Sequence, residues 1–227
     1  MNKILKMNIK NSSSNIGMNA LDFFAKMAKE ESDNPNCLKM AKNSDFSDMD
    51  ADFILKYATP DTSLLDVGSG TGLIVNKIFR NVREITAIEP FVDFSKFIIK
   101  DKNIVVINKT SSDYEIDRQY DIVTCFGFCQ YLDEDEVRFF YKKIYNALKD
   151  NGKIIIKNQF GIKEDVTVKG FSTELKKNYY AQYRYINKEI DILNESGYKN
   201  MQFFDIYPPE CNRWKNTHFY AIVADKI

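Results

Sequence analysis

A chain of 227 residues with 44% hydrophobic residues can bury the core of one α/β domain and still carry an extension, and its 32 basic residues balance 32 acidic ones. Zero net charge argues against a general nucleic-acid or membrane-surface binder, which carries a basic stripe. No apolar run reaches the length of a membrane span, Met1–Lys10 lacks the apolar core of a signal peptide, and the four scattered cysteines and single histidine form no zinc pattern. The expectation is a cytoplasmic chain with reduced thiols and no metal.

Residues 1–17 read as a polar leader. From Met18 to Glu31, Leu21, Phe24, Ala25 and Ala28 recur at helical spacing, until the Ser32–Asn36 cluster stops them. A second helix over Asp48–Tyr57 puts Phe53, Ile54 and Tyr57 on one side before Thr59-Pro60-Asp61 breaks it, and Met27, Met40, Phe46 and Phe53 are expected in the core. Residues 1–58 are therefore expected to hold a leader and cap helices, and 59–227 one core with an insertion at 160–196.

Ser63–Val67 reads as a buried strand, followed by Gly68, Gly70 and Gly72 and then by Leu73, Ile74, Val75, Ile78 and Phe79 at helical spacing. A strand, a tight glycine turn and a helix over Gly72–Phe79 open a βαβ unit, and glycines suit a turn where a ligand approaches backbone closely. Position 73 is Leu where the dinucleotide fingerprint G-x-G-x-x-G needs its third glycine, which argues against a nicotinamide enzyme. Asp66 lies inside the end of this strand, and the next strand, Glu84–Ile88, runs into Glu89, where an acid can accept hydrogen bonds from both hydroxyls of a ribose.

The alternation continues with a helix over Phe91–Ile99, strands over Asn103–Asn108 and Asp121–Phe126, a long helix over Glu134–Leu148, a turn at Asn151-Gly152 and a strand over Lys153–Asn158. Phe160–Lys177 then reads as irregular and charged, and the tyrosine-dense Asn178–Arg184 fits either a lid or a helix face packed on the core. Asn187–Ser196 is expected as a helix closed by Gly197, Met201–Tyr207 as a strand stopped by Pro208-Pro209, and Thr217–Ala224 as the last strand. The loop between these two strands is too short for a crossover helix, so they must be antiparallel.

The chain resembles the class I S-adenosylmethionine-dependent methyltransferases, whose first motif, acid-x-Gly-x-Gly-x-Gly, is matched by Asp66–Gly72 and whose second is matched by Glu89. The C-terminal region is loosely similar to bacterial sugar-modifying methyltransferases. The resemblance implies an α/β, Rossmann-like seven-stranded sheet with a terminal antiparallel hairpin and an N-terminal helical cap. It also implies S-adenosylmethionine as cofactor and S-adenosylhomocysteine as product. By the same resemblance Gly68 and Gly70 make room for the methionine part of the cofactor, with Asp66, Ser69 and Gly72 in the same loop. Glu89 would hold the ribose, with Pro90 and Phe126 nearby; Ile88 and Phe91 would flank the adenine; and a residue among 110–113, Ser111 or Asp113, would meet its amino group.

On the acceptor side, Gln130 and Tyr131 follow strand four, Tyr183 and Arg184 belong to the tyrosine-dense run, and Arg213 and Trp214 offer a platform for a sugar or a phosphorylated acceptor. His218, the one histidine, opens the last strand on the cofactor edge and is the candidate catalytic base. The preferred reading is O-methylation of a sugar, sugar nucleotide or phosphorylated glycan precursor for a bacterial capsule or surface polysaccharide. The alternatives are N-methylation of a small amine and a catalytically silent cofactor-binding protein. The partner is a small molecule, with no nucleic acid and no membrane, and the pattern says nothing of oligomeric state.

Overall fold

The computed structural model describes residues 16–39, 45–172, 177–212 and 214–227. Met40, Arg213 and most of the expected leader fall outside the described residues. Two helices come first, α1 (Ile16–Glu30) and α2 (Ser47–Leu55). The core then runs β1 (Ser63–Val67), α3 (Val75–Ile78), β2 (Glu84–Ile88), α4 (Val92–Ser95), β3 (Ile104–Ile107), β4 (Tyr120–Phe126), α5 (Glu134–Ala147) and β5 (Leu148–Gly161). It ends with β6 (Val166–Ser172), β7 (Lys177–Tyr183), α6 (Ile186–Ser196), β8 (Lys199–Phe204) and β9 (Thr217–Asp225).

Seven strands form one sheet in the order β3-β2-β1-β4-β5-β9-β8. The first five run parallel, β9 pairs antiparallel with β5, and β8 pairs antiparallel with β9. The expected terminal antiparallel pair is therefore present, and the strand order reverses between β1 and β4, where open α/β sheets bind ligands. Both faces are covered, so the central strands read as continuous apolar runs: every residue of β1 is buried.

Alternation along the strands divides the core in two. Leu65, Val67, Val123, Ile154 and Ile156 face α5 and α6, while Leu64, Ile122, Ile155, Ala221 and Val223 face α2 and α3. Cys125 and Cys129 are buried fillers of the first half. A capping box starts α5, with Glu136 N–H donating to Asp133 Oδ1 at 2.9 Å and Asp133 N–H to Glu136 Oε2 at 2.8 Å. Gly197 ends α6 at φ +108°, as its type at that position implied.

Three segments differ from the sequence reading. The expected helix over Gly72–Phe79 is only α3 and a 3-10 turn to Asn81, because Gly72 is held at φ +76° and the β-branched Ile74, Val75 and Ile78 are poor helix formers. The one over Phe91–Ile99 shrinks to α4, because Asn76 donates to Phe97 O (2.9 Å) and accepts from Ile99 N–H (2.8 Å), taking the backbone groups a helix would need. The irregular and tyrosine-dense stretches pair as an antiparallel hairpin, β6 with β7, with Val168 opposite Ala181, and α1 packs against β7. Tyrosine favours a strand wherever a partner covers it.

Candidate functional site

The carboxyl ends of β1, β2, β4 and β5 open into a cavity of about 1000 Å³, roofed by Phe23, Phe24 and Met27 of α1, by Leu38, and by the start of α2. In sheet order its floor is Ser111 after β3, Glu89 after β2, Asp66–Thr71 after β1, Phe126–Phe128 at β4, Lys157 and Gln159 of β5, and Phe219 of β9.

The glycine loop turns back on β2: Gly68 N–H and Ser69 N–H both donate to Ile88 O, at 2.9 and 3.0 Å. Gly68, Gly70 and Gly72 all sit at positive φ (77, 54 and 76°), where a side chain is strained. A Cβ at Gly70 would lie 2.5 Å from the Leu38 side chain and one at Gly68 3.1 Å from Phe128, while one at Gly127 meets nothing within 4 Å. Thr71 Oγ1, buried at the cavity wall, has no partner among the described residues.

Two carboxylates lie under this loop. Asp66 Oδ1 accepts from Thr124 Oγ1 at 2.6 Å, and burial pushes its pKa up. Glu89 accepts from Gly70 N–H with Oε2 and from Phe91 N–H with Oε1, both at 3.0 Å. Burial, opposed by these two bonds and helped by Asp66, raises the Glu89 carboxyl from 4.5 to about 7. Behind it Asn108 Nδ2 donates to Glu89 O at 2.8 Å, and Lys143 Nζ donates to Ser111 O (2.7 Å) and Ser112 O (3.1 Å), which holds the loop after β3. Two buried acids, one of them held by two backbone amides, with a side-chain-free strip beside an unpartnered hydroxyl, fit a nucleoside with a charged tail.

The other half of the cavity holds a cluster that the sequence reading missed. Lys157 Nζ donates to Asp50 Oδ2 (3.0 Å) and to Tyr207 OH (2.7 Å), and Tyr207 OH donates to Asp50 Oδ1 at 2.6 Å. The ammonium also lies 5.2 Å from the centre of the Phe126 ring. Burial and the Asp50 charge keep the Tyr207 phenol protonated, far above its ordinary range. One signal was available: Lys157 interrupts the apolar run Ile154-Ile155-Ile156, and a lysine in a doubly covered strand must be paired. Its partners come from α2 and from beyond β8, so spacing could not reveal them. Phe46, expected in the core, instead lines the cavity, with its ring 4.9 Å from that of Tyr207.

Of the residues singled out from sequence, Asp66, Gly68, Ser69, Gly70, Glu89, Pro90, Ser111, Phe126, Gln130, Tyr131 and Tyr183 all line this cavity. Gly72 braces the loop from behind, its N–H on Ser69 O at 2.9 Å. Between the two residues left open after β3, Ser111 is at the wall, whereas Asp113 is turned away to accept from Thr110 Oγ1 at 2.6 Å.

Three further expectations are corrected by placement. His218 does begin β9 at the cavity edge, but alternation sends Phe219 inward and His218 to the opposite face. There its Nε2 lies 3.0 Å from Asp205 and its Nδ1 3.0 Å from Asn212. Arg184 is spent on structure: buried, it pairs with Glu189 (2.6 Å) and donates to Leu132 O and Cys129 O, both at 2.7 Å. Trp214 is not on the cavity wall; its carbonyl accepts from Thr217 Oγ1 at 2.7 Å. Arg213 lies outside the described residues.

Residues 65–154 match a family model described as a methyltransferase domain. An uncharacterized methyltransferase of Staphylococcus carnosus is 27% identical over 154 residues, which cover 62% of this chain and 72% of that protein. The ubiquinone biosynthesis O-methyltransferase of Rickettsia bellii is 31% identical over 101 residues, and the match spans 42% of this chain and 41% of the enzyme. Among solved structures, DhpI bound to S-adenosylhomocysteine superposes with a TM-score of 0.68 at 15% identity, covering 94% of this chain and 98% of DhpI, a likeness of fold.

Proposed function

We propose that this chain is a class I S-adenosylmethionine-dependent methyltransferase that methylates an oxygen of a small polar acceptor, a reading supported by the methyltransferase-domain match over residues 65–154 and by the sheet. The observation that carries this reading is the division of one cavity along the carboxyl edge of the sheet. Its β1–β3 side has the acids, the open glycine strip and the unpartnered Thr71 hydroxyl for a nucleoside with a charged tail, and its β4–β9 side has polar groups among aromatic rings.

On this reading Glu89 accepts from the ribose hydroxyls while two backbone amides keep its carboxylate in place. Gly68 and Gly70 leave room for the methionine part, Thr71 Oγ1 meets its polar end, and Ser111 faces the adenine between Ile88 and Phe91. S-adenosylmethionine supplies an electrophilic methyl group on a sulfonium. The protein's task is to hold an acceptor oxygen in line with it and dry, and positioning of this kind can offset on the order of 7–11 kcal/mol of barrier. Phe126, Phe128 and Tyr131 exclude water at the junction of the two halves.

The R. bellii relative is named for an O-methyl transfer, which favours oxygen as the nucleophile. A sugar or glycan precursor, for a surface polysaccharide assembled from the cytoplasm, draws on the likeness of the C-terminal region to sugar-modifying enzymes. N-methylation of a small amine is the second reading, favoured by Glu31 and Glu136 on a wall rich in aromatic rings, where Asp45 is already paired with Lys39 at 2.8 Å. Transfer of a labelled methyl group to hydroxyl and amine acceptors of matched size separates the two. Label on the hydroxyl compounds is the expected outcome, and label on the amines alone overturns it.

A further inference from the structure

The acceptor half of the cavity is lined by three buried polar groups whose charges cancel. Lys157, Asp50 and Tyr207 bond one another in a closed triangle with sides of 3.0, 2.6 and 2.7 Å. The triangle faces the cavity between Phe46, Phe126 and Phe219. A buried ion pair stabilises a fold little more than apolar side chains of the same volume would, so stability alone gives no reason to set one into a ligand cavity.

Its unused bonding capacity is specific. An ammonium has three donors, of which two are spent on Asp50 and Tyr207, and a carboxylate has about four acceptor sites, of which two are spent on Lys157 and Tyr207. That leaves one donor beside a pair of acceptors, with Nζ and Oδ2 3.0 Å apart. Two adjacent oxygens on a ring, one hydroxyl donating and its neighbour accepting, complement that pair, and the aromatic walls suit the ring itself.

Charge narrows the choice further. An anionic group that bonds Lys157 also meets Asp50, and an amine that bonds Asp50 also meets Lys157, so in this water-poor cavity each attraction is offset at close range by a weakly screened repulsion. A neutral group leaves the balance undisturbed.

We propose that the Lys157–Asp50–Tyr207 triangle is the acceptor-recognition site, and that it selects an uncharged compound carrying two adjacent oxygens on a ring. The inference rests on the methyltransferase reading and names the substrate class of that same cavity. Asp50 and Lys157 hold the two oxygens, and Tyr207 is a positioning residue that sets the Asp50 carboxylate.

The test is calorimetric titration of the protein saturated with S-adenosylhomocysteine, using catechol, methyl glucoside, ethanolamine and glycerol 3-phosphate. At least one of the two neutral probes should bind about tenfold tighter than either charged probe, and which one does so tells an aromatic acceptor from a sugar. In Asp50→Asn, Lys157 loses its counter-charge, so preference should swing to glycerol 3-phosphate by about tenfold or more while S-adenosylhomocysteine affinity holds. A charged probe preferred by the wild type, no binding of any of the four, or an unchanged ranking in Asp50→Asn each overturns the proposal.

If Asp50→Asn does not fold, Tyr207→Phe decides: about a tenfold loss for the neutral probe supports the proposal, and an unchanged affinity overturns it. A wild type that does not bind S-adenosylhomocysteine defeats the broader reading instead, so the two failures are distinguishable.

Discussion

Replacing Glu89 with Gln separates what this carboxyl does for the fold from what it does for the cofactor. In the folded chain burial raises it from 4.5 to about 7. Below pH 4.5 the folded and unfolded states both hold the proton. Between 4.5 and about 7 the unfolded state has released it and the folded state keeps it, so stability falls as pH rises and the loss is complete above about 7. At 1.36 kcal/mol per pH unit the interval amounts to about 3 kcal/mol.

Gln at this position does not titrate. The stability of wild type minus that of Glu89→Gln should therefore fall by about 3 kcal/mol from pH 4.5 to 7.5, with the carboxyls that do not interact with Glu89 cancelling in the difference. Urea unfolding of both proteins across that range measures it. Binding moves the other way at high pH: losing a charge-assisted acceptor for the ribose hydroxyls should weaken S-adenosylhomocysteine by about 10- to 100-fold even where the variant is the more stable protein. A stability difference that is flat or rises with pH would refute the buried-acid account.

Other expectations follow from placement. Arg184→Met should lower stability by about 3 kcal/mol, because it leaves the buried Glu189 without its cation, and should leave S-adenosylhomocysteine affinity unchanged; thermal unfolding and calorimetry test the two halves. His218→Ala should change turnover by less than about twofold, because the ring lies on the face of β9 away from the cavity; a steady-state loss of about 10³-fold would restore it as the base. Gly70→Ala should cost about 1 kcal/mol for its left-handed backbone and should push Leu38 off the loop, with cofactor affinity falling more than stability.

What could be read from the chain follows from where its information is local. The bounds of β1 and β2 emerge from apolar runs, and the glycine loop from its spacing, because a buried parallel strand and a tight turn each constrain only neighbouring residues. Asp66 and Glu89 are legible for the same reason. The hairpin of β6 and β7 is not, since a tyrosine-dense run suits either a helix face or a strand, and the pairing with β6 and the packing of α1 on β7 come from elsewhere in the chain. His218 shows how topology can be right and the side chain wrong: β9 does return to the cavity edge, but a shift of one residue decides which face is presented. The Lys157 triangle lay furthest out of reach, because it joins three segments between which only tertiary structure makes a connection.

The most direct test of the central claim is calorimetric titration of the purified wild-type chain with S-adenosylhomocysteine. The cavity, its paired acids and its glycine loop predict one site per chain with a dissociation constant on the order of micromolar. A folded chain that takes up no S-adenosylhomocysteine would contradict it.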